Sequence, residues 1–259
     1  MDKTEHYTPG HTANAVEFMS RRSLESHGAF LIPYLEDAMS VLDCGCVPGS
    51  ITFGIADRIP KGRVIGVDID DPQIGLARIR AAERGLKNVE FRRANAYDLP
   101  FPFDTFDAVF AHALLEHLRV PGDAIGEFRR VLRQGGTLAV CSPDWGGFLL
   151  APPSHTPTAA VEAYKSLQTA NGGDVYVGRK LPQLLEAAAF QNSEIQARYE
   201  TYESLEFIGE YLAAQLEDAG QTLHAATFRE WAARPNGMFA QSWVSCVSRK
   251  GSHPPLRER

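Results

Sequence analysis

The chain has 259 residues, of which 44% are hydrophobic, enough to bury the core of one large domain or two small ones. No run approaches the ~18 consecutive apolar residues of a membrane helix, so no helical span is expected. The 26 basic residues against 32 acidic ones leave a net charge of −6, which argues against general binding to nucleic-acid phosphates.

The first residues, MDKTEHYTPGHTANAV, lack a basic segment leading into an apolar one, so no secretory signal is expected. Residues 12–37 carry the apolar spacing of amphipathic helices, broken near Ser26-His27-Gly28. SVLDC, ending at Cys44, reads as a short buried strand, and Ile51, Ile55 and Ile59 mark a helix stopped by Pro60. RVIGVDI is a second strand. Asp71-Pro72 opens a helix that closes at Gly85. NVEFRRA and FDAVFAH give strands three and four. Ala124, Ile125, Phe128, Val131 and Leu132 mark the next helix, ended by Gln134-Gly135-Gly136, and TLAVCSP is a fifth strand. Strands apolar on both faces, alternating with helices, indicate a parallel sheet covered on two sides.

Beyond residue 143 the rhythm changes to a segment rich in proline, glycine and aromatics. Helices are expected around 157–170 and 179–189, a strand at SEIQARYETY, two helices over 203–233, and a last strand at GMFAQSWVSCVSRK. The fold class is therefore α/β: a doubly wound, mostly parallel, seven-stranded sheet with an antiparallel edge strand and helical lid insertions. We expect a single domain over 1–259, with a helical cap at 1–37, a cofactor-binding half at 38–142, lids at 143–180 and 203–233, and a frayed tail at 251–259.

The turn after the first strand holds Gly45 and Gly49 and leads into a helix at Ser50, whose unpaired N–H groups favour an anion or carboxylate. Asp68 ends the second strand about 20 residues on, where a carboxylate can take both hydroxyls of a ribose. The glycines miss the G-x-G-x-x-G spacing of a dinucleotide site. Asp43, just before the turn, would repel a pyrophosphate but suits an ammonium group. An NAD(P)-dependent reductase is thus the weakest reading. Cys44, Cys46, Cys141 and Cys246 lack zinc spacing and read as reduced packing residues of a cytoplasmic protein, and no metal site is expected.

VLDCGCVPGSIT, VIGVDI, RRANAYDLPFPFDTFDAVFAHALLEHL and RVLRQGGTLAV together resemble the successive motifs of class I S-adenosylmethionine-dependent methyltransferases. The likeness is to the ubiquinone/menaquinone-biosynthesis-like small-molecule group and covers roughly residues 20–142. It implies a Rossmann-like methyltransferase fold with S-adenosylmethionine as cofactor and S-adenosylhomocysteine as product. By resemblance Asp43 and the backbone of Gly45 hold the amino group, with Cys46 and Gly49 in the same turn. Asp68 holds the ribose and Ile69 faces the adenine. Asn95 and Ala96 stand where the family has Asp-Ala, with Tyr97 stacking nearby. Ala111 and His112 lie beneath the sulfonium, and Arg22 reaches the methionine carboxylate. Val47 departs from the family's glycine; a β-branched residue there resists positive φ and crowds the pocket.

The function expected is methyl transfer to a small, apolar or aromatic acceptor, with no nucleic acid or membrane partner, by a monomer or homodimer. The alternative is a non-catalytic binder of the same cofactor or of a partner. His112 is the expected base if the acceptor is a hydroxyl or acidic carbon. Glu116 and His117 are expected to open a helix in capping or solvated roles, Asp144 to serve a turn or face the crevice, and His11 and His155 to lie in loop segments, with contact to substrate the lesser alternative. Some of Trp145, Phe148, Tyr164, Tyr176, Tyr202, Phe207, Tyr211, Phe228 and Trp231 are expected to wall a pocket.

Overall fold

The computed structural model of the chain describes residues 6–10, 13–202 and 204–251. His11 and the tail from 252 lie outside them. Seven strands form one sheet: β1 (Ser40–Cys44), β2 (Arg63–Asp68), β3 (Val89–Arg93), β4 (Phe106–His112), β5 (Leu132–Ala151), β6 (Phe190–Thr201) and β7 (Met238–Lys250). The helices are α1 (Ala13–Ser20), α2 (Leu24–His27), α3 (Ser50–Arg58), α4 (Asp71–Glu83), α5 (Pro121–Val131), α6 (His155–Ala170), α7 (Val177–Ala187), α8 (Leu205–Asp218) and α9 (Thr222–Ala232).

The strand order is β3-β2-β1-β4-β5-β7-β6. Strands β1 to β5 pair in parallel, and β7 returns antiparallel between β5 and β6. The antiparallel strand thus stands one place in from its edge, with β6 outside it. Alternate strand residues feed opposite faces. Val41, Val64, Ala108 and Phe110 pack with Ile51 and Ile55 of α3 and with Ile59 just past its end on one face. Leu42, Ile65 and Val109 pack with Ile125 and Phe128 of α5 and Leu181 and Leu185 of α7 on the other.

A separate cluster lies beyond the sheet. There α1, α6, α8 and α9 close around Trp145, Phe228 and Phe239. Of these, α1 comes from the expected cap and α6, α8 and α9 from the segments expected as lids, whereas α7 rests on the sheet itself.

Two segments differ from expectation. The cap breaks at Arg21–Ser23, ahead of the expected site, because Ser23 and Ser26 form a reciprocal capping box that starts a new helix. Gly28 then ends α2. Strand β5 also runs on through the proline- and glycine-rich stretch, with an irregularity between Asp144 and Leu149, because Leu149–Ala151 pair with Met238–Ala240 of β7. Long-range pairing overrides local composition there.

The turn from β1 into α3 is pinned sideways: the N–H groups of Gly45 and Cys46 both donate to the Val67 carbonyl, at 2.8 and 3.1 Å. Gly45 and Gly49 take φ of +78° and +94° and absorb all the left-handed backbone of the turn. Val47 is not required to adopt positive φ, so the conflict expected there does not arise. A Cβ on Gly49 would lie 2.9 Å from the Phe53 ring. Gly49→Ala is therefore expected to destabilise the fold by about 1–2 kcal/mol from the backbone alone, and by more as Phe53 is displaced. Urea unfolding should show a lower midpoint with an unchanged slope; an unshifted midpoint would mean the turn is not under this constraint.

Candidate functional site

Strand order reverses between β1 and β4, the place where open parallel sheets bind ligands beyond their carboxyl ends. A cleft opens there, where such folds hold small molecules. Gly45 and Val47 form one wall, Asp68 and Ile69 the end of β2, Asn95, Ala96 and Tyr97 the loop after β3, and His112 the end of β4. Arg22, Met19 and Tyr7 roof it from the cap. Eight expected residues thus converge: Arg22, Gly45, Asp68, Ile69, Asn95, Ala96, Tyr97 and His112.

Four others stand behind the lining. Asp43 is buried beneath the turn, Cys46 packs with Phe53, Ile74 and Phe91, Gly49 caps α3, and Ala111 sits in the core under α5. Tyr7, Met19, Ala113, Leu114, His117 and Leu118 line the cleft without having been singled out for it. Adjacency to His112 could have flagged Ala113 and Leu114. No local signal marks Tyr7 or Met19, which arrive through the packing of the cap.

The site keeps charge scarce. Asp43 accepts a hydrogen bond from the Thr52 hydroxyl at 2.6 Å, yet burial pushes its carboxyl up to about 7. Burial also raises Asp68, against hydrogen bonds from the backbone of Asp70, Val47 and Ile69. The Asn95 side-chain oxygen accepts from the Tyr97 N–H at 3.0 Å, which leaves its amide N–H₂ to the cleft. His112 is 5% exposed, stacks on Trp243 at 4.9 Å between ring centroids, and has neither ring nitrogen hydrogen-bonded. Burial, then Arg22, hold it well below an ordinary imidazole, so it is neutral. The Arg22 guanidinium lies 5.7 Å from the Phe18 and Trp243 ring centroids.

A second, interior cavity lies between the sheet and helices α6 and α8. Trp145, Tyr164, Tyr202, Tyr211 and Trp243 wall it, and Tyr7, Met19, Arg22, Ala113 and His117 line both spaces. Of the other expected wall residues, Phe228 and Trp231 are lid core, Phe148 and Tyr176 pack against that core, and Phe207 lines a shallow groove beside Arg21. Glu116 and His117 overturn their expected role. They form a short 3₁₀ turn, Leu115–His117, and Glu116 is buried at 3% exposure, accepting from Ser142 Oγ at 3.0 Å. The lid helices bury this turn, which local sequence does not reveal. Asp144 is held by a two-pronged Arg179 pair at 2.5 and 2.6 Å, which overcomes its burial and keeps it below the usual carboxylate range. His155 is exposed at the start of α6.

Comparison with known proteins bears on the family and the fold. A family model described as "Methyltransferase domain" matches residues 35–206. The probable methyltransferase ltbC of Aspergillus luteorubrus is 37% identical over 146 residues, 53% of this chain and 51% of that protein. The chain spans about half the length of the curated relatives it matches. The solved structure of the [4+2]-cyclase SpnF is 25% identical with a TM-score of 0.59, over 90% of this chain and 84% of that one. YcgJ from Bacillus subtilis, at 18% identity, shares the fold with a TM-score of 0.66, over 87% of this chain and 98% of that one.

Among the described residues no cation pairs with Asp43, and this has a consequence for pH. The folded chain keeps the Asp43 proton up to about 7, whereas the unfolded chain releases it near 3.8. This group's contribution to stability therefore falls as pH rises from 4 to 7 and stays reduced above. Asp43→Asn should leave thermal unfolding of the ligand-free chain little changed near pH 4 and raise Tm at pH 8, by roughly 2–4 °C per kcal/mol relieved. A Tm at pH 8 equal to or below wild type would refute the buried-charge account.

Proposed function

We propose that this chain, which belongs to the class I S-adenosylmethionine-dependent methyltransferase family, transfers a methyl group from S-adenosylmethionine to a small apolar or aromatic acceptor. The observation that carries the reading is the junction of two unlike spaces. A cleft with polar groups at both ends meets an aromatic-walled cavity along Tyr7, Met19, Arg22, Ala113 and His117.

The donor set fits the cofactor. Asp68 ends β2 with a carboxylate suited to a ribose diol, and Asn95 offers its amide N–H₂ beside it. At the opposite end the Gly45 carbonyl suits an ammonium group, with Asp43 buried behind the turn, and Arg22 suits a carboxylate. The Gly45 N–H is already committed to Val67, so its carbonyl is the group left for a ligand. A pyrophosphate would meet the Asp43 side of the turn, which argues against a dinucleotide.

When bound, S-adenosylmethionine supplies a methyl group already activated by its positive sulfur. The chain's part is to orient and to exclude water. The lid cluster roofs the acceptor space, and positioning of this kind is worth roughly 7–11 kcal/mol of barrier. Neutral His112 and His117 keep the wall polar without adding charge.

Calorimetric titration should show S-adenosylmethionine and S-adenosylhomocysteine binding at micromolar level and no binding of NAD. Asp68→Ala should weaken both by about 1–3 kcal/mol. Methyl label from the cofactor should pass into a small molecule of a cell extract. NAD binding tighter than S-adenosylmethionine would sink the reading, and cofactor binding with no labelled product would favour a non-catalytic binder.

A further inference from the structure

We propose that the interior cavity takes a planar aromatic compound bearing a hydroxyl group, and that Glu116 accepts the hydroxyl proton as the methyl group is transferred. This rests on the methyl-transfer reading and names the acceptor class and the base of that same site.

The cavity walls point to the class of ligand. Trp145, Tyr164, Tyr211 and Trp243 line the space, and walls made of aromatic side chains suit an aromatic ligand. Glu116 stands where this space meets the cleft, beside His117, which lines both. Its turn is fixed from two sides: the Glu116 carbonyl accepts from Gln168 Nε2 at 3.1 Å and from the Asp174 N–H at 2.9 Å. The carboxyl is oriented by Ser142 Oγ at 3.0 Å, and its other oxygen lies 3.7 Å from His117 Nε2.

The groups around Glu116 leave it as the proton acceptor of the cavity. The groups facing it are Arg22 from the cap, Tyr7, Tyr164 of α6, Tyr211 of α8, Cys141 and Ser142 of β5, and its neighbour His117. Tyr164 and Tyr211 are raised above their ordinary values, and His117 is pushed down to about 3 by burial and by Arg22, so all three are neutral. Arg22 is the cation of the set. A hydroxyl must lose its proton on methylation, and Glu116 is the carboxylate of this set placed to accept it.

Burial pushes Glu116 up to about 7, against its own backbone N–H, Ser142 and Arg22. A base poised near neutral pH matches the task. His112, expected for it, is held far lower and is the weaker acceptor. In the step, the hydroxyl gives its proton to a Glu116 oxygen. The hydroxyl oxygen's electron pair forms the bond to the methyl carbon, while the electrons of the carbon–sulfur bond stay on sulfur. Glu116 then loses its proton to solvent.

The test uses the full chain with S-adenosylhomocysteine bound, titrated calorimetrically with 2-naphthol and with its methyl ether, 2-methoxynaphthalene. Wild-type affinity for 2-naphthol should rise about 3–10-fold from pH 5.5 to 8, as the carboxylate forms to receive its hydrogen bond. Affinity for the ether should not change. Glu116→Gln should flatten the 2-naphthol profile while leaving S-adenosylhomocysteine affinity unchanged, which also reports that the variant folds. Ser142→Ala should move the midpoint of the wild-type profile upward. With S-adenosylmethionine, Glu116→Gln should slow transfer to 2-naphthol by about 10²–10⁴, but transfer to 4-nitrophenol, already ionised at pH 8, by less than about tenfold. The proposal is overturned by equal losses on the two phenols, by a 2-naphthol profile unchanged in Glu116→Gln, or by no 2-naphthol binding to the cofactor-bound chain. Failure of wild type to bind S-adenosylhomocysteine would instead overturn the underlying reading.

Discussion

Two hydrogen bonds from the turn after β1 to the Val67 carbonyl set the geometry on which the site depends. They draw the first strand–helix connection sideways against β2, so the turn lies open at the sheet's edge. Gly45 and Gly49 permit this, since both occupy left-handed backbone that costs a side-chain-bearing residue about 1–2 kcal/mol. With the turn held there, Asp43 lies beneath it, Asp68 beside it and His112 across the switch point. A residue with a side chain at Gly45 would meet Leu114 at 3.2 Å and close the gap between turn and β4 loop.

Around that turn the protein maintains a dry interior in which few groups carry charge. Three carboxyls, Asp43, Asp68 and Glu116, are raised by burial, and two imidazoles, His112 and His117, are lowered by it. Each shift favours the neutral form, as desolvation requires. Arg22 lines both cavities, its guanidinium near the Phe18 and Trp243 rings. In such surroundings a single hydrogen bond or charge contact is stronger than in water, and an unmet polar group is more costly. The unmet nitrogens of His112 are an instance.

The second cavity is built from different material. The helical cluster beside it has its own core, shared among α1, α6, α8 and α9, and joins the sheet through the outer ends of β5 and β7. Asp144 and Arg179 tie the irregular stretch of β5 to α7 at this joint. The parallel sheet thus packs on its own helices, while the second cavity is shaped by elements that lie beyond that sheet's core.

Much of this was legible in sequence because it is local. Period-two and period-3.6 patterns in residues 40–142 reported strands and helices whose apolar faces are set by neighbours a few residues away, and the glycine turn with its flanking acids reported the cleft. The roles of Tyr7, Met19, Glu116 and His117 were not legible, since their environments come from helices distant in sequence. Glu116 reads as a solvated helix-start residue until α6 and α8 cover it. The extension of β5 was hidden in the same way, because its partner in β7 lies about 90 residues on and composition there favours a loop. The sequence alone determined the sheet, its switch point and the polar ends of the cleft, through short-range periodicity and backbone constraint. Tertiary structure alone decided which titratable groups are dry, because burial depends on what the rest of the chain places over them.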